Sequence, residues 1–245
     1  MLKMQAMIFA AGLGTRLKPL TDTMPKALVR VGGKPLIERV IEKLKDAGAD
    51  RIVVNVHHFA SKIVGYLKDN DNFGTDIRVS DETDKLLDTG GGIKKAAPLF
   101  DSDKPVLIHN VDILSNVDLA HLYAMHGDSA ATLVVSSRKT KRYLLFDDDM
   151  RLKGWTNIET GEVRSPYPDL NVADCRMLAF SGIHVISPSM FGLMDEFPDK
   201  FGIIDFYLKV CDKVVIKGYD KTDLRLMDVG KLDTLAEAEN FINQL

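Results

Sequence analysis

The chain has 245 residues, 45% of them apolar and 27% charged, with a formal net charge of −3 and two cysteines. One sizeable core is expected at this length, and a nucleic-acid surface built on net basicity is excluded. Cys175 and Cys211 lack the spacing of a disulfide framework or zinc site, and no apolar run is long enough for a membrane span or signal peptide, so a cytoplasmic setting is expected.

The apolar run Ala6 to Ala10 reads as a buried strand that opens into a Gly-rich loop, A-A-G-L-G-T-R-L-K-P-L-T-D-T-M-P-K-A-L. Gly12 and Gly14 allow close backbone approach, and free N–H groups can then face anionic oxygens. Arg16 adds a planar fork for phosphate and Lys26, stiffened by Pro25, a compact positive charge. Leu17 stands where a dinucleotide fingerprint needs its third Gly, Pro19 and Pro25 break the helix it needs, and no P-loop string occurs. The segment reads as a long, irregular, cation-bearing polyphosphate loop.

Alternating elements follow. Pro35 to Ala47 has helical apolar spacing with Gly48 as its cap, and Arg51 to Val56 is β-branched. A helix around Ile63 to Asp69 precedes a strand at Asp76 to Val79, a short helix at Gly91 to Leu99, and strands at Pro105 to His109 and Ala131 to Ser137. Tyr143 to Val163 reads as a β-hairpin region with Trp155 packed in it. Its Asp147-Asp148-Asp149 run reads as a solvated turn rather than a metal cluster. Strands at Leu178 to Ile186, Val214 to Gly218 and Leu224 to Val229, a helix over Asp205 to Val210 and a closing helix at Lys231 to Asn243 complete the pattern. The alternation predicts an α/β fold, a mostly parallel mixed sheet in a three-layer α/β/α arrangement, with ligands at the carboxyl edge. The loop at Gly12, Asp112 and Arg138 should meet there.

G-L-G-T-R-L-K-P-L-T and M-P-K-A-L-V, with V-G-G-K-P-L-I-E after them, resemble the signature of the sugar-1-phosphate nucleotidyltransferases, the NDP-sugar pyrophosphorylases. L-D-T-G-G-G-I, H-N-V-D, F-S-G-I and D-V-G-K-L-D-T-L-A-E-A-E extend the likeness in order along nearly the whole chain. The short, single-domain uridylyltransferases acting on N-acetylmuramate 1-phosphate are the most similar type. The resemblance implies the Rossmann-like nucleotide-diphospho-sugar transferase fold in one domain, 1–245. Residues 1–137 would form the nucleotide-binding half and 138–245 the sugar-binding half, with no C-terminal β-helix domain.

The activity implied is transfer of a nucleotidyl group, expected from UTP, to a sugar 1-phosphate, releasing pyrophosphate. Its substrates would be its partners, with no nucleic acid or membrane, in a monomer or homodimer. Mg²⁺ suits a reaction that joins two polyanions. The family places it on Asp112 and Asp228, Lys26 on the sugar phosphate and α-phosphate, and Arg16 on the leaving phosphates. Ala10, Ala11, Gly12, Gly14 and Thr15 would line the nucleotide. Glu82 would face the base, and Thr89 and Gly90 would open a turn close to the base or ribose. Asn110 and Gly182 would flank the sugar, with Arg138 or Arg142 available to a lactyl carboxylate.

Two departures stand out: Val111 where the family has Gly before the first metal Asp, and Arg30 where it has Pro. A β-branched Val111 would crowd the phosphate or sugar. The alternatives left open are a guanylyltransferase acting on mannose or heptose 1-phosphate and a non-catalytic NDP-sugar sensor.

Overall fold

The computed structural model describes residues 3–245. The elements run in chain order as β1 (Met4–Phe9), β2 (Arg30–Val31), β3 (Lys34–Pro35), α1 (Leu36–Asp46), β4 (Ala49–Val56), α2 (Ala60–Asp69), β5 (Asp76–Asp81), α3 (Asp88–Ala96), β6 (Val106–Asn110), β7 (Ile113–Ser115), α4 (Leu119–Ala124), β8 (Ala131–Ser136), β9 (Arg142–Phe146), β10 (Leu152–Asn157), β11 (Glu162–Arg164), β12 (Arg176–Ile186), α5 (Ser189–Met194), α6 (Ile203–Val210), β13 (Ile216–Asp220), β14 (Leu226–Asp228) and α7 (Leu232–Ile242). The central strands lie in the order β5-β4-β1-β6-β12-β8-β13. Four of these six pairings are parallel and the two made by β12 with β6 and β8 are antiparallel. β9, β10 and β11 form an antiparallel extension hung on the first residues of β12.

Both faces of the sheet are covered. Met4, Ala6 and Ile8 of β1 point to one side, with Leu36, Ile37, Val40, Ile41 and Leu44 of α1. Met7 points to the other, with Ile93 of α3 and Phe206, Tyr207 and Val210 of α6. This period-2 split explains why β1 reads as a continuous apolar run rather than an alternating one. The five inward residues of α1 are at most 2% exposed, and each contributes about 1.5–3 kcal/mol on burial. Gly48, at φ 100°, ends α1, its N–H donating to the Lys45 carbonyl.

Three differences from the sequence reading matter for the site. α3 begins at Asp88, so Thr89 and Gly90, expected to open a turn, lie inside a helix that starts three residues earlier than expected. β7, α4 and α5 arise from segments too short to show a period. β13 runs Ile216–Asp220, two residues later than expected. At the Asp147 turn the carboxylate accepts the Arg151 N–H at 2.8 Å.

Candidate active site

Because β1, β4, β5 and β6 are parallel, their last residues share one edge, with Phe9 in register with both Asn55 and Asn110. A cavity of about 460 Å³ opens there, lined by Ala10, Ala11, Gly12, Lys26, Asn55, Glu82, Thr89, Asn110, Val111 and Asp112, among others. Beyond Ala11 the loop is irregular. Thr21 Oγ1 donates to the Gly14 carbonyl at 2.8 Å, Thr15 to Leu17 make one tight turn, and Leu17 anchors it in the core. Among the described residues no partner within the chain takes the N–H groups from Gly12 to Arg16. That leaves a run of donors open to an anion.

The charged groups converge beside this loop. Lys26 Nζ donates to Asp112 Oδ2, and both side chains are largely buried. Asp228 reaches the same place through a contact the sequence did not reveal. β14 pairs antiparallel with β7, setting Asp228 opposite Ile113, and the Val229 N–H donates to the Asp112 carbonyl at 2.9 Å. Arg16 Nη2 lies 3.9 Å from Asp228 Oδ2. Burial, and then the facing Asp112 carboxylate, hold the Asp228 carboxyl above its ordinary range, against the pull of Lys26 and Arg16. Two carboxylates set against each other, with cations on either flank, are a donor set that fits a hard divalent cation taking oxygen ligands.

The remaining expected residues are placed as follows. Val111 is 4% exposed and packs into the α1-side apolar cluster, with its N–H on the Phe9 carbonyl. It forms part of the cavity wall. Gly182, at φ 80°, makes the bulge in β12, and a Cβ there would lie 2.5 Å from Asn110 Nδ2. Asn110 and Gly182 are therefore in contact.

Glu82, expected to face the base, lines the cavity. It is fully buried, accepting from Asn55 Nδ2 at 2.7 Å and from the Leu87 N–H at 3.1 Å. Thr89 lines the cavity and its hydroxyl accepts the Ile203 N–H at 2.9 Å. Gly90 does not line it. A Cβ on Gly90 would fall 2.3 Å from the Phe201 ring, and one on Gly91 2.0 Å from the Asp199 carbonyl. These two glycines let α3 pack closely against residues 199–201.

Arg138 lies at the same sheet edge but in a second cavity of about 390 Å³, with Arg142, Arg164, Tyr143, Trp155 and Phe180. Arg138 donates to the Phe180 carbonyl at 3.0 Å. Arg164 is paired with Asp205 at 2.7 Å and lies over the Trp155 ring at 4.3 Å. Asn55 and Arg164 are the residues the sequence reading passed over. For Asn55 the signal was a polar side chain inside a β-branched run.

The chain matches the Nucleotidyl transferase family over residues 5–244. It is 33% identical over 195 residues to the N-acetylmuramate alpha-1-phosphate uridylyltransferase of Caulobacter vibrioides, covering 76% of each chain. It is 30% identical over 197 residues to the mannose-1-phosphate guanyltransferase of Yarrowia lipolytica, covering 80% of this chain and 52% of that one. A UDP-glucose pyrophosphorylase solved with UDP-glucose superposes with a TM-score of 0.78 at 17% identity over 99% of both chains, a likeness of fold. No helix among the described residues is long and apolar enough to cross a membrane. The chain belongs to the nucleotidyl transferase family and is a sugar-1-phosphate nucleotidyltransferase.

Proposed function

We propose that this enzyme transfers a uridylyl group from UTP to N-acetylmuramate 1-phosphate. The observation that carries the catalytic part is the convergence of Lys26, Asp112, Arg16 and Asp228 on the cavity at the end of β1. A phosphate oxygen of the sugar 1-phosphate attacks the α-phosphorus in line, the α–β bridging bond breaks, and pyrophosphate leaves with those electrons. Direct displacement needs no covalent enzyme intermediate, so the chain's task is positioning and charge neutralisation.

Lys26 spans the sugar phosphate and the α-phosphate, held in place by Asp112. Arg16 faces the β- and γ-phosphates and the open N–H groups from Gly12 onward cradle them. Asp112 and Asp228 would hold Mg²⁺, which supplies charge neutralisation on the phosphate oxygens when bound. Ala10, Ala11 and Thr89 line the nucleotide, and Asn110 with Gly182 borders the sugar.

The uridylyl and N-acetylmuramyl assignments rest on the likeness to the Caulobacter enzyme. Arg138 and Arg142 supply the cationic group that a lactyl carboxylate requires. The test is mass identification of products from UTP, GTP, CTP, ATP and dTTP crossed with the 1-phosphates of N-acetylmuramate, N-acetylglucosamine, glucose, mannose and heptose. UDP-N-acetylmuramate as the dominant product supports the reading. A GDP-sugar overturns the base assignment. Tight nucleotide binding with no product from any pair replaces the enzyme with a sensor.

A further inference from the structure

We infer that Asn55 and Glu82 form a positioning pair that fixes the phosphate-binding loop by the polarity of their hydrogen bonds, and that Glu82 acts through Asn55 rather than on the base. The inference rests on the nucleotidyltransferase reading of the same cavity. Asn55 Oδ1 accepts the Ala10 N–H at 2.7 Å and the Ala11 N–H at 3.3 Å, while Asn55 Nδ2 donates to Glu82 Oε1 at 2.7 Å. Glu82 Oε2 accepts the Leu87 N–H at 3.1 Å. Asn55 and Glu82 are 2% and 0% exposed. A Cβ on Gly92 would lie 2.9 Å from Glu82 Oε1 and 3.2 Å from Asn55 Nδ2, so α3 packs directly on the pair.

The direction of each bond is forced. The Ala10, Ala11 and Leu87 N–H groups can only donate, so Asn55 turns its oxygen to the loop and its NH₂ to Glu82, whose two oxygens accept. The first two amides after β1 are thereby committed inward, and the open donors begin at Gly12. The other Glu82 oxygen ties the segment carrying Leu86, Asp88 and Thr89, so one buried carboxylate pins two walls of the cavity.

Polarity can be swapped without changing shape. Asn55→Asp sets two carboxylates face to face. Glu82→Gln leaves a donor against a donor, at Asn55 in one amide orientation and at Leu87 in the other. The double variant restores every bond: Gln Nε2 donates to the new Asp, whose other oxygen accepts from the loop, and Gln Oε1 accepts from Leu87.

The experiment is calorimetric UTP affinity, with KM for UTP and for N-acetylmuramate 1-phosphate, in the wild type, both single variants and the double variant, each with its thermal midpoint. Each single variant is expected to weaken UTP binding about tenfold or more, as an unpaired buried donor or charge does. The double variant is expected to return to within about threefold of wild type, with KM for the sugar phosphate nearly constant throughout. Where a single variant does not fold, recovered folding in the double is the same readout.

A double variant as impaired as Asn55→Asp overturns the inference. So does a parallel loss of affinity for both substrates, which marks general loosening. A wild type that binds GTP and not UTP overturns the uridylyl reading alone, and the same swap read with GTP then decides the pair.

Discussion

In the cavity at the end of β1, each cation has a carboxylate beside it: Lys26 on Asp112 and Arg16 near Asp228. In the cavity beside the β9–β11 extension, Arg164 is paired with Asp205, whereas Arg138 and Arg142 have no acidic partner among the described residues. In the first set Arg16, Lys26 and Asp112 follow the parallel strands β1 and β6 and Asp228 ends the short antiparallel β14, whereas in the second Arg142 and Arg164 lie on the antiparallel extension and Arg138 just before it. Groups meant for phosphate chemistry gain from being fixed before substrate arrives, since reorganisation is then avoided in the transition state. Cations meant for one substituent of one substrate gain from having no internal competitor. We propose that the contrast marks a division between a reaction centre and a sugar-specificity region.

The contrast can be broken most sharply at the first cavity. We expect chelation of divalent cations to abolish turnover and added Mg²⁺ to restore it, with the thermal midpoint of the free protein unchanged, as followed by pyrophosphate release and a melting curve. Next in size, Lys26→Ala and Asp112→Asn should each lower kcat by about 10²–10³, the usual scale for one preorganised electrostatic group. Circular dichroism should show both folded. An effect on KM alone would place these residues outside the reacting centre.

At the second cavity the effect should be smaller and of another kind. Arg138→Ala or Arg142→Ala should raise KM for N-acetylmuramate 1-phosphate by about tenfold, the scale of one lost charge-assisted hydrogen bond. KM for UTP and activity on N-acetylglucosamine 1-phosphate should hardly move. Equal effects on both sugars would show that these arginines do not read the lactyl carboxylate, and no effect on either would mark them as a solvated basic turn.

The smallest effect concerns the sheet that carries both cavities. Burial pushes His109 on β6 down to about 4, His184 on β12 to about 3 and His126 to about 4. All three are neutral in the folded chain, while the unfolded chain takes up protons near 6.5. Their stabilising effect is complete above pH 6.5 and is lost as pH falls through 6.5 toward 4. Urea midpoints between pH 8 and pH 4.5 should fall accordingly. A flat profile would contradict their burial.

Much of this was legible because Gly and Pro punctuate the loop and apolar periods mark the strands. Lys26 could be singled out by Pro25 alone, and the sheet edge followed from strand–helix alternation. What was hidden depends on long-range contacts. Thr89 and Gly90 read as a turn because Gly weakens a helix, yet they lie in α3, where Phe201, the Asp199 carbonyl and the Glu82–Asn55 pair crowd any Cβ at Gly90, Gly91 and Gly92. Asp228 reaches Asp112 through a three-residue strand, β7, too short to show a period. The burial of Glu82 was hidden because its partners lie 5 and 27 residues away in the chain.

The account's central claim is displacement at the α-phosphorus without a covalent enzyme. Its most direct test is to measure pyrophosphate released from UTP and Mg²⁺ by the wild-type enzyme with and without N-acetylmuramate 1-phosphate. The account predicts release only with the sugar phosphate, one pyrophosphate per UDP-sugar formed. Stoichiometric release without the sugar phosphate, leaving uridylylated protein, would contradict it.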